Sequence, residues 1–240
     1  NIRYAVGASI VSVIATSSGA AATYVRDHIT NIRVAMLLEV ATTVGALGGA
    51  MLSPFLPTNV LFLVFALILL YSAILMFKKR TGDHVTTQSN DRLAAKLRLH
   101  SSYPDHQLGR TVEYAVHGVK LGFSLMFGAG VISGLLGIGS GVLKVPAMDT
   151  AMRLPIKVSS ATSNFMIGVT AAASAGAYYM RGDIIPMLAA PVAIGVLIGS
   201  TLGTKVMMKL HSAHIRKLFL FFLILIAVEM GLKALGVQIR

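Results

Sequence analysis

Apolar residues along this chain fall into blocks about as long as a bilayer span, separated by short polar or basic stretches. About twenty such residues in helical form cross the hydrocarbon core. The pattern predicts apolar segments over residues 4–24 (A), 34–54 (B), 60–77 (C), 118–148 (D), 158–179 (E), 184–208 (F) and 215–235 (G). The fold class it implies is an all-α polytopic membrane protein. Between C and D the chain is polar, with Lys78, Lys79, Arg80, Arg92, Lys96, Arg98 and Arg110 interspersed with His84, His100 and His106. Within that stretch Asp91-Arg-Leu-Ala-Ala-Lys-Leu-Arg-Leu99 has a partly amphipathic helical pattern suited to a membrane surface.

Segment D cannot be a plain span. It contains Gly128-Ala-Gly-Val-Ile-Ser-Gly-Leu-Leu-Gly-Ile-Gly-Ser-Gly-Val-Leu-Lys-Val-Pro146, and glycine weakens a helix. A bilayer tolerates broken backbone only where protein buries it or where it lines an aqueous cavity, and transporters place binding sites at such breaks. The break is the first candidate for the working site.

Superposing Tyr24-Val-Arg26 on Tyr179-Met-Arg181 brings A-B-C onto E-F-G, which indicates an internal duplication. Segment D has no counterpart, so the first repeat is expected to lack an opening element of roughly thirty to forty residues. The chain also opens at Asn1 without an initiating Met, as a piece of a longer product would. Positive charge then decides the topology. If D crossed fully, Lys205, Lys209, Arg216 and Lys217 would lie outside. If D turns back, they lie inside with Arg153 and Lys157, and E-F-G runs opposite to A-B-C. The expected arrangement is two inverted repeats with six full spans and one Gly-rich re-entrant hairpin: residues 1–77 the first repeat, 78–116 a basic cytoplasmic linker, and 117–240 the second repeat. Gly195, Gly199 and Gly203 on F, and Gly45, Gly48 and Gly49 on B, suit close packing within the chain ahead of a homodimer seam.

Composition agrees. The 240 residues are 55% hydrophobic and 12% charged, with a mean hydropathy of +0.75, against about 25% charged in soluble domains. The net charge of +12 sits between the apolar blocks, where it reads as topology signal and contact with anionic lipid rather than with nucleic acid. The absence of cysteine excludes disulfides, thiolate nucleophiles and Cys-ligated metals, and no histidine pair has a flanking third ligand. Neither a metal nor a cofactor is expected.

The chemistry suits an anion. Main-chain N–H groups around Gly137, Gly139, Ser140 and Gly141 would converge on one point, and a half-helix starting there would direct its positive end to the same place. Ser140 adds a hydroxyl. Thr162, Ser163 and Asn164 supply neutral donors on E. In the first repeat Ser9 falls opposite Asn164, with Ser12 one turn beyond. Lys144, just past the break, would attract an anion, while Arg153 and Lys157 form a basic vestibule or simply follow the positive-inside rule. Of the two acids inside apolar segments, Glu229 has Lys233 one turn later and is expected to pair locally. Glu39 has no partner at helical spacing and is either the proton-coupling candidate or a side chain that snorkels near the membrane end of its segment.

The run Gly134-Leu-Leu-Gly-Ile-Gly-Ser-Gly-Val-Leu-Lys-Val-Pro146, followed by Leu154-Pro-Ile-Lys-Val-Ser-Ser-Ala-Thr-Ser-Asn164, resembles the sulfite exporter TauE/SafE family of membrane permeases. Ser140 stands where that family usually has glycine. The resemblance implies a permease of the prokaryotic cytoplasmic membrane that moves sulfite, thiosulfate or an organosulfonate-related anion by alternating access. A passive anion channel is the alternative. An intramembrane hydrolase is less favoured, because a serine nucleophile needs a base and no histidine lies deep in an apolar segment. No Gly-Lys-Ser or Gly-Lys-Thr follows the glycines, so the chain has no P-loop.

Overall fold

A computed structural model describes residues 2–52, 58–78, 89–105, 108–136, 141–180, 182 and 184–235. Six of the predicted segments are single helices of 21 to 25 residues: α1 (Ile2–Arg26), α2 (Ile32–Leu52) and α3 (Thr58–Lys78), then α7 (Ile156–Met180), α8 (Pro186–Lys209) and α9 (Ser212–Ala234). Between them lie α4 (Arg92–Lys96), β1 (Ser101–Asp105) and β2 (Arg110–Tyr114). Segment D is two helices, α5 (Val119–Leu136) and α6 (Gly141–Thr150). The glycines at 137 and 139, with Ile138 and Ser140, lie outside the described residues.

The protein is mostly helical, and α1, α2 and α8 are long and apolar enough to cross a membrane over Ala8–Arg26, Ile32–Gly49 and Ala189–Lys209. Large side chains such as Met36, Leu67, Phe77, Ile198 and Phe221 face outward. Ser17, Asn31, Thr42, Lys144, Asp149 and Thr162 are buried. Large apolar side chains outside, with the polar groups kept within an otherwise apolar interior, is the distribution expected where lipid, not water, is the solvent.

The 89–117 stretch is a folded clasp. Ala94 and Leu99 are buried with Tyr103 and Tyr114 against Val34 and Leu38 of α2, so the apolar face expected on a membrane surface packs on protein instead. Strands β1 and β2 pair antiparallel from Ser101↔Tyr114 to Asp105↔Arg110. The clasp holds the starts of α2 and α5. Asn31 caps α2 by accepting from the Val34 N–H at 3.1 Å, and its amide donates to Leu99 O at 2.8 Å and to the Tyr114 hydroxyl at 3.0 Å. Asp91 caps α4 through Oδ1, accepting from Leu93 and Ala94, and caps α5 through Oδ2, accepting from Val119 N–H at 2.9 Å.

From these anchored starts α2 and α5 run side by side with their backbones in contact. Gly45 faces Phe127 O, Gly49 faces Val131 O, and Gly130 faces Thr42 O, each so closely that a Cβ would overlap the carbonyl. The close packing expected of Gly45 and Gly49 is therefore realised on α2, whereas Gly48 meets nothing within 4 Å among the described residues. On α8 the expectation fails: Gly195, Gly199 and Gly203 meet nothing within 4 Å among the described residues. That helix packs on α1 through a different face, with Ser200 and Leu197 against Gly19 and the Tyr24 hydroxyl 3.1 Å from Met207 Sδ.

Helix α6 ends where α5 begins. His117 N–H donates to Met152 O at 3.1 Å, and Gly118, in the left-handed region at φ 53°, lies against Ala151 O. Only glycine meets both demands without strain. Across the molecule α1 and α7 run in opposite directions: Ser17 faces Gly168 and Asn164, whereas Tyr24 and Ile29 cluster with Ala161. Helices α3 and α9 pack together around Leu69, Met76, Leu223 and Met230, and the same apolar cluster takes in Ala129 of α5, Leu143 and Val145 of α6 and Ile156 of α7.

The N–H of Val119 holds the Asp91 carboxyl below the usual carboxylate range, aided by Ala94, Leu93 and nearby His117, and opposed by partial desolvation. A depressed folded-state pKa gives stability that is present above the unfolded value, about 4, and lost as pH falls through the folded one. Asp91→Ala should destabilise the protein by on the order of 1 kcal/mol. In thermal melts in detergent, the gap between variant and parent should close as the pH is lowered below about 4.

Candidate functional site

Three helices bring one polar cluster together beside the broken segment. Lys144, three residues into α6, is 1% exposed and donates from Nζ to Glu39 Oε2 of α2 at 3.1 Å. The hydroxyl of Thr170 on α7 contacts the other carboxylate oxygen, Oε1, and also lies 2.9 Å from Met166 O. A buried ammonium beside a carboxylate is stable only when each meets the other, since desolvating either alone costs several kcal/mol. The expectation that Glu39 lacks a partner at helical spacing holds for its own helix. Its partner comes from 105 residues away.

Two further buried pairs lie toward the clasp. Lys157 donates to Asp105 Oδ1 at 3.0 Å, joining α7 to β1, and the Tyr103 hydroxyl donates to Asp105 Oδ2 at 3.3 Å. Arg216 at the start of α9 donates to Asp149 Oδ1 at the end of α6, also at 3.0 Å. Lys157 thus faces a buried acid, while Arg153 is exposed in a turn with φ 55°. Glu229 and Lys233 pair at 2.6 Å along one helix edge, as their spacing predicts.

The remaining candidates are distributed as follows. Gly137, Gly139 and Ser140 lie outside the described residues, and Gly141 starts α6 with its Cα against Ile167 of α7. Thr162 is fully buried, and its oxygen accepts from Asn31 N–H at 3.1 Å, which leaves its own proton for another acceptor. The Ser163 hydroxyl is buried with no hydrogen-bond partner among the described residues. At helical spacing it shares a face with Met166 and Thr170. Asn164 donates to Ser17 O at 3.4 Å, so across the α1–α7 crossing it meets Ser17 rather than Ser9. Ser9 is exposed, and Ser12 donates to Ala8 O within its own helix.

The buried charge pair, the broken D segment and the lipid-facing exterior are the features of a membrane transporter, and comparison with known proteins agrees. The sulfite exporter TauE/SafE family matches residues 1–230. The chain belongs to the TauE/SafE family. It is similar to "Probable membrane transporter protein YunE" of Bacillus subtilis (strain 168), 24% identical over 231 residues, covering 95% of this chain and 80% of that protein. It is also similar to "Probable membrane transporter protein YdhB" of the same organism, 26% identical over 204 residues, covering 85% and 74% of the two chains. No solved structure matches it. This TauE/SafE protein is a membrane transporter, and the family and relatives' names describe transport rather than catalysis.

In this TauE/SafE chain, sequence reasoning missed Thr170, Asp105, Asp149 and Arg216. One signal was there to use: Glu39 is the lone acid in segment B, Lys144 is the base that follows the glycine run in segment D, and buried opposite charges pair when they can. Removing one partner strands the other. Lys144→Met should cost about 3–5 kcal/mol of stability, and Glu39→Gln combined with Lys144→Met should recover most of it. A double-mutant cycle on thermal unfolding measures this, and additive losses would mean that the two side chains do not interact.

Proposed function

We propose that the protein is a permease for a small sulfur-containing oxyanion such as sulfite, thiosulfate or an organosulfonate-related anion, and that it works by alternating access. The observation that carries this reading is Lys144, a cation 1% exposed and three residues from the start of α6. The anion would sit among the main-chain N–H groups of Gly137, Gly139, Ser140 and Gly141, the Lys144 ammonium, and the hydroxyls of Thr162 and Ser163. Asn164 borders this site from α7, and Ser9 and Ser12 belong to the corresponding place in the first repeat. Neutral donors hold an oxyanion without trapping it, while the lysine draws it in.

The reading places D as a re-entrant hairpin. Its support is the return of α6 to the start of α5, marked by the His117–Met152 hydrogen bond. It also places the two halves as inverted repeats. Exchange of A for E, B for F and C for G turns the α1–α8 packing into the α7–α2 packing and leaves the α1–α7 and α3–α9 pairs unchanged, as a two-fold axis would. Antiparallel α1 and α7 suit an axis in the membrane plane. On this basis six helices cross the cytoplasmic membrane of a prokaryote and α5–α6 dips in and out.

Thiosulfate or sulfite should raise the midpoint of thermal unfolding of the purified protein, by an amount that grows with the logarithm of concentration above Kd. Chloride should not. Liposomes preloaded with the anion should accelerate uptake of labelled anion, as a carrier does and a passive channel does not. If no sulfur oxyanion shifts the midpoint at millimolar levels, the substrate reading fails.

A further inference from the structure

Lys144 already has a partner, and an arriving anion must contend with it. Glu39 Oε2 sits 3.1 Å from Nζ, and both side chains are largely withdrawn from solvent. An oxyanion within hydrogen-bonding distance of Nζ would lie a few ångströms from that carboxylate. Like charges so close in a site of low dielectric repel strongly. Other elements do little to relieve this. Among the described residues, α5 carries charge only at Lys120, exposed in its first turn. Helix α7 carries Lys157, which is paired with Asp105, and the titratable Tyr179, exposed near its far end. Helix α6 adds Asp149, which faces Arg216, and Arg33 on α2 donates to Arg98 O on the clasp side. Lys144 is therefore the cation that both the carboxylate and the anion require.

We propose that Glu39 and the transported anion are alternative partners of Lys144, so that each anion bound is accompanied by one proton taken up on Glu39. The proposal rests on the permease reading above and specifies how that site is coupled. In the resting site the ammonium and the carboxylate neutralise each other. When the anion enters, a solvent proton binds Glu39 at Oε2, the carboxyl becomes neutral, and Nζ turns its donors to the anion. Thr170 stays against Oε1 throughout, giving the neutral carboxyl a hydrogen-bonded place to rest. Proton and anion thus occupy the protein together and leave together. By linkage, the proton favours the anion as much as the anion favours the proton.

Thiosulfate is the appropriate probe, because it stays a dianion across neutral pH and neither binds nor releases protons itself. The purified full chain in weakly buffered detergent should take up about one proton per thiosulfate bound, read with a pH-indicator dye. Its Kd should tighten about tenfold for each unit the pH is lowered across the neutral range. Glu39→Gln, which keeps the shape and a neutral hydrogen-bonding group, should bind thiosulfate with no proton uptake and a pH-independent Kd. Thiosulfate binding by the parent protein without proton uptake overturns the exchange and leaves the permease reading standing. Uptake that persists in Glu39→Gln also overturns it, because another group would then be the acceptor. Failure of the folded parent protein to bind thiosulfate overturns the exchange and the substrate reading together.

Discussion

A polar group inside a lipid-facing bundle must find its partner within the protein, and the placing of helices here follows from that requirement. Lys144, Lys157 and Arg216 are buried cations, and each faces an acid on a different element: Glu39, Asp105 and Asp149. None of the three pairs is local in sequence, so each fixes a tertiary relation: α6 to α2, α7 to β1, and α9 to α6. Breaking one partner strands the other in a medium that solvates ions poorly. Charge pairing thus sets where the helices stand, and apolar packing between α3 and α9 or between α2 and α5 fills the space that results.

The clasp between α3 and α5 adds a second kind of restraint. Besides the Lys157–Asp105 pair, it makes hydrogen bonds at helix ends, where they satisfy backbone groups that would otherwise be orphaned. Asp91 serves two helices with one carboxylate, and Asn31 binds the clasp through its amide while capping its own helix. A stretch whose composition reads as a loose basic linker is ordered by a few such bonds around the buried rings of Tyr103 and Tyr114.

What could be read from the residues alone is what depends on short sequence distances. Apolar block lengths placed α1, α2, α3, α7, α8 and α9 to within a few residues, since lipid selects for length and apolarity. The glycine run marked the division between α5 and α6, although residues 137–140 themselves lie outside what the structure describes. The Glu229–Lys233 pair followed from one helical turn. The Glu39–Lys144 pair did not, because its partners are 105 residues apart and meet only when three helices converge. The glycine stripes misled on α8 for a related reason: a row of small residues permits close approach without requiring a neighbour, and only Gly45 and Gly49 on α2 have one. The amphipathic pattern of 91–99 gave an apolar face correctly, but it could not say whether lipid or protein covers it.

Helices α2 and α5 are distant in sequence, yet their backbones touch at Gly45, Gly49 and Gly130, and one clasp both binds Asn31, the cap of α2, and caps α5 directly. Two helices in backbone contact cannot slide or tilt against each other without carbonyl oxygens colliding with main-chain atoms. They form one stiff beam built from segments distant in sequence. A crossing such as α1 on α7, where Asn164 reaches Ser17 O at 3.4 Å, is held by side chains and is the softer seam.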